Sequence, residues 1–286
     1  MNQRIFPDAT VNSGPVPPPA EGGTSAEAAT NIEHPEGLLA GAGGAEIYWQ
    51  AWLPSAYALY HRGHGRSSGP RGLIDRMDHA VSDVDSFVTL AAARHADRPL
   101  HLLGHSTGGA IAIAYALRHQ ERLRGLLLSS AAASLGSAQA STRLEAWALA
   151  AVAPTAGVME IDPSLISHDP AVVRAYREDP LVYRGMLPAR TVAEVAATIE
   201  GFAAGVPALR VPLLVMAGTG DRIVPPSGSR MVYDRAGSPD RTLRLYYGLY
   251  HELFNEPERR VVLGDVTAWL DARTVAQHVE AQALSA

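Results

Sequence analysis

Apolar residues occur in short runs along the chain, and residues typical of turns separate these runs. Short continuous runs are typical of buried parallel strands, and they occupy residues 99–103, 125–132, 212–217 and 243–247. Residues 47–52 form a further strand-like run. Residues 78–94, with Val81, Val84 and Val88, show the spacing of a helix, as does the stretch after Asn255. This alternation of predicted strands and predicted helices favours an α/β fold with a mostly parallel sheet.

A long segment, residues 135–206, lacks this alternation of strands and helices. It carries scattered apolar residues, including Trp147, Met159 and Ile161. Two interpretations stay open from the residues themselves. The segment is either an extra helical layer of the core or a cap that covers a site and forms an apolar pocket.

Residues 104–108 read Gly-His-Ser-Thr-Gly and lie between a predicted strand and a predicted helix. This is the G-x-S-x-G pattern of a sharp strand-to-helix turn, which points the hydroxyl of the serine out of the sheet. The helix that follows favours developing negative charge at its N-terminus. Ser106 is therefore a candidate nucleophile, and the backbone N–H of Thr107 is a candidate oxyanion donor.

An aspartate and a histidine follow the serine along the chain, and the order Ser, Asp, His is the one that accompanies this type of turn. Asp221 comes directly after the apolar run 212–217, and His251 follows the run 243–247. Both positions lie at the carboxyl ends of predicted strands, where open α/β sheets build their sites. We expect His251 to act as the general base and Asp221 to fix its tautomer.

Composition narrows the chemistry. The 286-residue chain has no cysteine, all 24 of its basic residues are arginine, and its net charge is −5. The absence of cysteine and lysine excludes thiol nucleophiles, Schiff bases and a P-loop. Nothing in the charge balance suggests a nucleic-acid partner.

Four motifs together resemble the monoacylglycerol lipase and lysophospholipase branch of the α/β-hydrolases, which is grouped with serine aminopeptidases. They are HRGHGRSSGPRG at 61–72, GHSTGG at 104–109, AGTGDRIV at 217–224 and YHELFNE at 250–256. The resemblance covers about residues 36–273. It implies an ester hydrolase of lipid metabolism that cleaves acyl chains from a small alcohol and needs no cofactor. Lysophospholipids and short synthetic esters are rival substrates to monoacylglycerol.

Composition and the resemblance together predict a division of the chain. We expect a disordered tail at 1–34, a hydrolase core at 35–134 and 207–274, a helical cap at 135–206, and the end of a helix or a tail at 275–286. We predict transient contact of the cap with a membrane surface, no metal, no secretory signal and a cytoplasmic location.

One departure from the family affects the expected activity. The run Trp52-Leu53-Pro54 is followed almost at once by Tyr60-His61, so a strand-plus-helix unit of roughly 30 residues is absent between them. In the family this unit supplies the second oxyanion donor, and Gly63 or His64 is a candidate substitute. We expect a tight turn at 54–56 to let the sheet close one strand narrower.

The same departure supports an alternative function. A protein that keeps the three residues but lacks the oxyanion segment has little or no activity, because losing one donor costs about 10²–10³ in turnover. Such a degenerate hydrolase acts as a binding protein or has no function.

Overall fold

The computed structural model describes residues 33–53, 56–135 and 140–284, with the backbone alone for 140–142 and 274–284. The strands are β1 (Glu36–Ala40), β2 (Glu46–Trp52), β3 (Ala56–Leu59), β4 (His101–His105), β5 (Gly125–Ser129), β6 (Gly157–Met159), β7 (Leu187–Pro188), β8 (Leu213–Gly218) and β9 (Arg241–Tyr246). The helices are α1 (Met77–Arg94), α2 (Ser106–His119), α3 (Ala140–Val152), α4 (Pro170–Glu178), α5 (Ala189–Gly205), α6 (Pro226–Arg235) and α7 (Arg259–Leu284).

The central sheet is parallel, in the order β4-β5-β8-β9. Leu126 of β5 lies opposite Leu102 of β4 on one side and Leu213 of β8 on the other, so the three strands share one register. All five residues of β5 and all six of β8 are buried, as the continuous apolar runs predict. Helices flank the sheet, and α2 packs against β4 and β5. The predicted α/β fold is confirmed.

The first three strands form a separate antiparallel sheet, β1-β2-β3. Trp52 of β2 lies opposite Ala56 of β3, as a tight connection between these strands requires. Residues 54 and 55 themselves lie outside the described residues.

The expected closure into one narrower sheet is wrong. Across the described ranges, no strand pairing joins β3 to β4, so two sheets stand where one was expected. Helix α1, which connects β3 to β4 along the chain, packs against β1 and β3 on one side and α2 on the other. Phe87 of α1 forms a small core with Trp49 and Ala51 of β2. Side-chain packing, not a hydrogen-bonded ladder, therefore joins the small sheet to the rest.

A buried ion pair reinforces this junction. Arg62, just after β3, donates from Nε and Nη2 to the two carboxylate oxygens of Asp83 in α1, each at 2.8 Å. The side chain of Asp83 is fully buried, and its Oδ1 also accepts from the backbone N–H of Ala42. Bidentate pairs of this kind are strong and geometrically specific.

The residues between β5 and β8 form helices α3, α4 and α5 and the short antiparallel pair β6 and β7. We call residues 140–206 the inserted segment. Among the helices that the structure describes, none has both the length and the apolar character needed to cross a membrane.

Replacing Asp83 by Asn tests the junction. Asp83→Asn leaves the buried guanidinium of Arg62 without its main counter-charge, so we expect the free energy of unfolding to fall by about 3 kcal/mol or more. Urea denaturation measures this change. The matched control is Asp85→Asn on the same helix, because the side chain of Asp85 is 38% exposed where it pairs with Arg122. The control should cost about 1 kcal/mol or less, and equal losses for both variants would contradict the role of the pair.

Candidate active site

Ser106 lies at the junction of β4 and α2, in a backbone conformation that residues other than glycine rarely adopt. Its φ is +53°, and β4 ends at the residue before it. Such a conformation costs roughly 1–3 kcal/mol and persists only where the surroundings impose it. The strain is that of the sharp turn which the G-x-S-x-G pattern predicts.

Two glycines let the backbone around Ser106 pack closely. A Cβ at Gly104 would lie 2.6 Å from the carbonyl oxygen of Gly108, and a Cβ at Gly109 would lie 2.5 Å from the Cβ of Ala131. Real side chains do not tolerate such distances. The glycines of the motif are therefore required by the close approach of β4, α2 and the segment after β5.

Asp221 lies in the loop after β8, and its carboxylate is held from two sides. Oδ1 accepts from the backbone N–H groups of Ile223 and Val224, each at 2.9 Å. The neighbouring Gly220 packs against the loop of His251, where a Cβ would lie 2.4 Å from the carbonyl oxygen of Gly248. The two loops therefore meet backbone to backbone, which leaves Oδ2 of Asp221 facing the histidine.

The structure brings the three predicted residues into one hydrogen-bonded chain. His251 Nδ1 lies 2.8 Å from Asp221 Oδ2, and His251 Nε2 lies 2.8 Å from Ser106 Oγ. Ser106, Asp221 and His251 are 4%, 7% and 0% exposed, so water is largely excluded from their contacts. This geometry lets His251 take the proton of the serine hydroxyl while Asp221 stabilises the imidazolium.

A small cavity of about 100 Å³ opens at Ser106. Thr107, in the first turn of α2, lies in its wall. The inserted segment supplies apolar side chains to the same wall, among them Met159, Ile161 and Ile199. An apolar cavity beside a serine hydroxyl suits an acyl chain.

Gly63 and His64, the substitute donors considered from the sequence, are both committed elsewhere. The N–H of Gly63 donates to Ser68 O and that of His64 to His61 O, each at 2.9 Å. Burial lowers the pKa of His64 well below its usual value. The neutral ring therefore has a single N–H, which Nδ1 directs to Arg62 O at 2.9 Å. Neither residue can donate to an oxyanion.

The side chain that does lie against this turn is that of His61. Its Nε2 is 3.4 Å from the point that a Cβ of Gly108 would occupy. Its Nδ1 is buried and has no hydrogen-bond partner within the described structure. Burial lowers the pKa of His61 to about 4, so the ring is neutral at physiological pH.

His105, which directly precedes Ser106, forms a buried ion pair with Glu252, which directly follows His251. His105 Nε2 lies 3.1 Å from Glu252 Oε1, and both side chains are less than 10% exposed. Burial alone would lower the pKa of His105, but the charge of Glu252 and the bond to it raise that pKa above its ordinary value. Burial likewise opposes ionisation of Glu252, but His105 holds its pKa below the ordinary value. The pair is therefore charged between these two pKa values.

The sequence analysis missed Glu252 and a second buried carboxylate, Glu256. The signal was present, because both lie in the motif YHELFNE, but an acidic residue in a loop is most often exposed. His105, His251 and Glu252 also form a group whose ligand atoms lie within 4.8 Å of one another. Every ring nitrogen of this group already faces a hydrogen-bond partner. The absence of a metal stays a prediction.

The fold and the strained serine turn define an α/β-hydrolase. The chain belongs to the serine aminopeptidase S33 family, whose model matches residues 53–258. It is 41% identical over 219 residues to a monoacylglycerol lipase of Mycolicibacterium smegmatis, covering 75% of this chain and 77% of that one. It is 32% identical over 222 residues to human monoglyceride lipase, covering 76% and 73%.

A solved structure shows the same likeness. The crystal structure of Paleococcus ferrophilus monoacylglycerol lipase is 29% identical, with a TM-score of 0.69 over 76% of this chain and 83% of that chain. The family resemblance predicted from the motifs is confirmed.

Replacing Glu252 by Gln tests the charged pair through its pH dependence. In the wild-type protein, the stabilisation is present between the lowered pKa of Glu252 and the raised pKa of His105. It is lost as pH falls through the first or rises through the second. In Glu252→Gln, burial is left to lower the pKa of His105, so the unfolded chain binds an extra proton below about pH 6.5.

We therefore expect the stability gap between wild type and Glu252→Gln to widen from pH 8.0 to pH 5.5, by about 1 kcal/mol or more. Urea denaturation at the two pH values measures it. A gap that stays constant or narrows toward pH 5.5 would show that the pair is not charged.

Proposed function

We propose that this protein is a carboxylic ester hydrolase that cleaves monoacylglycerols through an acyl-enzyme on Ser106. The observation that carries the proposal is the hydrogen-bonded chain from Ser106 through His251 to Asp221, with 2.8 Å at each contact. It lies beside an apolar cavity on a strained strand-to-helix turn. The relatives named above are lipases of the same kind.

In the first step, Ser106 Oγ attacks the ester carbonyl and His251 Nε2 takes its proton. The oxygen of the tetrahedral intermediate gains negative charge, which the backbone N–H of Thr107 and the N-terminus of α2 stabilise. Asp221 keeps the proton of the imidazole on Nδ1. His251 then gives its new proton to the leaving glycerol oxygen, and the acyl group stays on Ser106.

In the second step, water replaces the alcohol. His251 takes a proton from the water, which attacks the acyl carbonyl. Collapse of the second tetrahedral intermediate releases the carboxylic acid and returns the proton to Ser106 Oγ. Each bond made is matched by one broken, and the cycle uses no cofactor.

The monoacylglycerol substrate is favoured over other esters by the relatives named above. Lysophospholipids and short synthetic esters are the other substrates of the same chemistry. Neither the geometry nor the relatives support the alternative of a degenerate, inactive hydrolase.

We also propose that the inserted segment acts as a cap within the division predicted from the sequence, with core residues at 35–134 and 207–274 and the cap at 135–206. Its contribution of Met159 and Ile161 to the cavity at Ser106 supports this role. The cytoplasmic location stays a prediction.

Labelling with a fluorophosphonate tests whether the serine is activated. We expect one adduct per molecule, mapped by mass spectrometry to Ser106, because the probe reacts with serines that a neighbouring base activates, as His251 is placed to do here. Ser106→Ala should lose the label and lower the turnover of 1-monooleoylglycerol by on the order of 10⁶-fold.

Ser164→Ala, which changes an exposed serine of the inserted segment, is the matched control and should label fully. Folded wild-type protein that takes no label would rule out the acyl-enzyme. Faster hydrolysis of lysophosphatidylcholine than of monoacylglycerol would instead correct the substrate.

We further propose that helix α3 contacts the membrane surface where monoacylglycerol resides. Leu144, Trp147 and Val152 belong to α3 and are 71%, 75% and 80% exposed. Large apolar side chains grouped on an exposed helix favour an interface with lipid. The net charge of −5 argues for a neutral bilayer over an anionic one.

Trp147→Ser should reduce co-sedimentation with neutral phosphatidylcholine vesicles about threefold or more, because a buried indole contributes on the order of 1 kcal/mol. Leu38→Ser, at an exposed apolar residue of β1, should leave binding unchanged. Equal binding by the two variants would argue against contact through α3.

A further inference from the structure

Glu256 is a fully buried carboxylate whose partners come from two different parts of the chain. Its Oε1 accepts from the backbone N–H of Tyr250 at 2.6 Å. Its Oε2 accepts from the backbone N–H of His168 at 3.0 Å and lies 3.1 Å from the hydroxyl of Ser167. His168 Nδ1 is a further neighbour, at 3.2 Å from Oε1.

These partners place the carboxylate between the two elements that meet at the cavity. Tyr250 directly precedes His251. Ser167 and His168 belong to the inserted segment and follow the stretch that carries Met159 and Ile161 in the cavity wall. Glu256 thus contacts both the histidine loop and the inserted segment.

Further contacts between the same two stretches reinforce the junction. The backbone N–H of Glu252 donates to the carbonyl of Ile166 at 2.8 Å. The rings of His168 and Tyr250 contact each other, with centroids 3.6 Å apart and planes tilted by 34°. Ile166 is fully buried in a small core of the inserted segment, so this contact reaches its interior.

We propose that Glu256 is a positioning residue that couples the inserted segment to the catalytic histidine. One carboxylate fixes the loop that aims His251 at Ser106 and the stretch that shapes the acyl cavity. This inference rests on the proposed function. It adds that binding of the acyl chain in the cavity and the position of His251 depend on each other. Displacing one element releases the other.

A carboxylate is required at this position because both of its oxygens face backbone N–H groups. In Glu256→Gln, one orientation of the amide sets its NH₂ against the N–H of Tyr250, and the other sets it against the N–H of His168. Either way one donor is left buried without an acceptor, although the side chain keeps its size. The substitution therefore loosens the junction without opening a cavity.

The coupling has a kinetic signature. An acetyl ester needs the placed histidine but makes little use of the cavity wall, whereas an octanoyl ester needs both. For Glu256→Gln, we expect kcat for p-nitrophenyl acetate to fall about tenfold, because small displacements of catalytic groups are costly. The kcat/KM ratio of octanoate to acetate should fall by a further factor of about three to ten.

The experiment compares Glu256→Gln with Glu258→Gln, the same substitution at an exposed residue two positions on. Fluorophosphonate titration counts the active sites, so that misfolded protein does not enter the rates. A merely structural role lowers the number of active sites and leaves the octanoate-to-acetate ratio of the remaining sites unchanged. An unchanged ratio would therefore overturn the proposal.

Amide hydrogen exchange gives a readout that needs no catalysis. In Glu256→Gln, peptides covering 159–169 and 246–256 should both exchange faster than in wild type and in Glu258→Gln. Faster exchange in one of them alone would overturn the coupling. If wild-type protein takes no fluorophosphonate label, the proposed function fails, and the exchange result still decides the role of Glu256.

Where Glu256→Gln does not fold, Ser167→Ala takes its place. This change removes a hydroxyl on the side of the inserted segment and leaves the bond from Glu256 to Tyr250 in place. A fall in the octanoate-to-acetate ratio would support the coupling, and an unchanged ratio would overturn it.

Discussion

The strained backbone of Ser106 is the constraint on which the rest of the site depends. A φ of +53° for a residue with a side chain is unfavourable, and it is maintained by close contacts on every side. The carbonyl of Ser106 accepts from the N–H of Ala132 at 2.9 Å, which binds the turn to the segment after β5. Gly104 and Gly109 allow that contact by removing the side chains that would separate the strands and the helix. The hydroxyl is thereby fixed before any substrate arrives.

Asp221 and His251 reach Ser106 because of the sheet. Strands β4, β5, β8 and β9 are parallel neighbours, so the loops after them emerge at the same edge. Backbone contacts then set the distances: the N–H of Gly220 donates to Leu249 O at 2.9 Å, between the loops of Asp221 and His251. The charged pair of His105 and Glu252 adds a bond between the serine turn and the histidine loop. Direct hydrogen bonds therefore connect all three loops.

Short sequence patterns predicted the strands and the serine turn, because neighbouring residues determine these elements. The apolar runs placed β5 and β8 within a few residues, and G-x-S-x-G placed the turn, because backbone strain and burial leave marks on neighbouring residues. The partners of Arg62 and Glu256 left no such mark, since they lie 21 and 88 residues away along the chain. The separation of the two sheets was missed for the same reason. Strand pairing depends on which strand edges meet in space. The residues of β3 do not indicate whether β3 pairs with β4.

That separation changes how the serine turn is supported on the side of β3. In a continuous sheet, a ladder of backbone bonds would fix the loop after β3 relative to α2. Here α1 and the pair of Arg62 with Asp83 hold that loop, and the loop carries His61 against Gly108. Arg62 is the next residue after His61, so a buried ion pair in the core also sets the position of an imidazole beside the serine turn. The stability of the junction between the sheets and the geometry near Ser106 therefore depend on the same side chain.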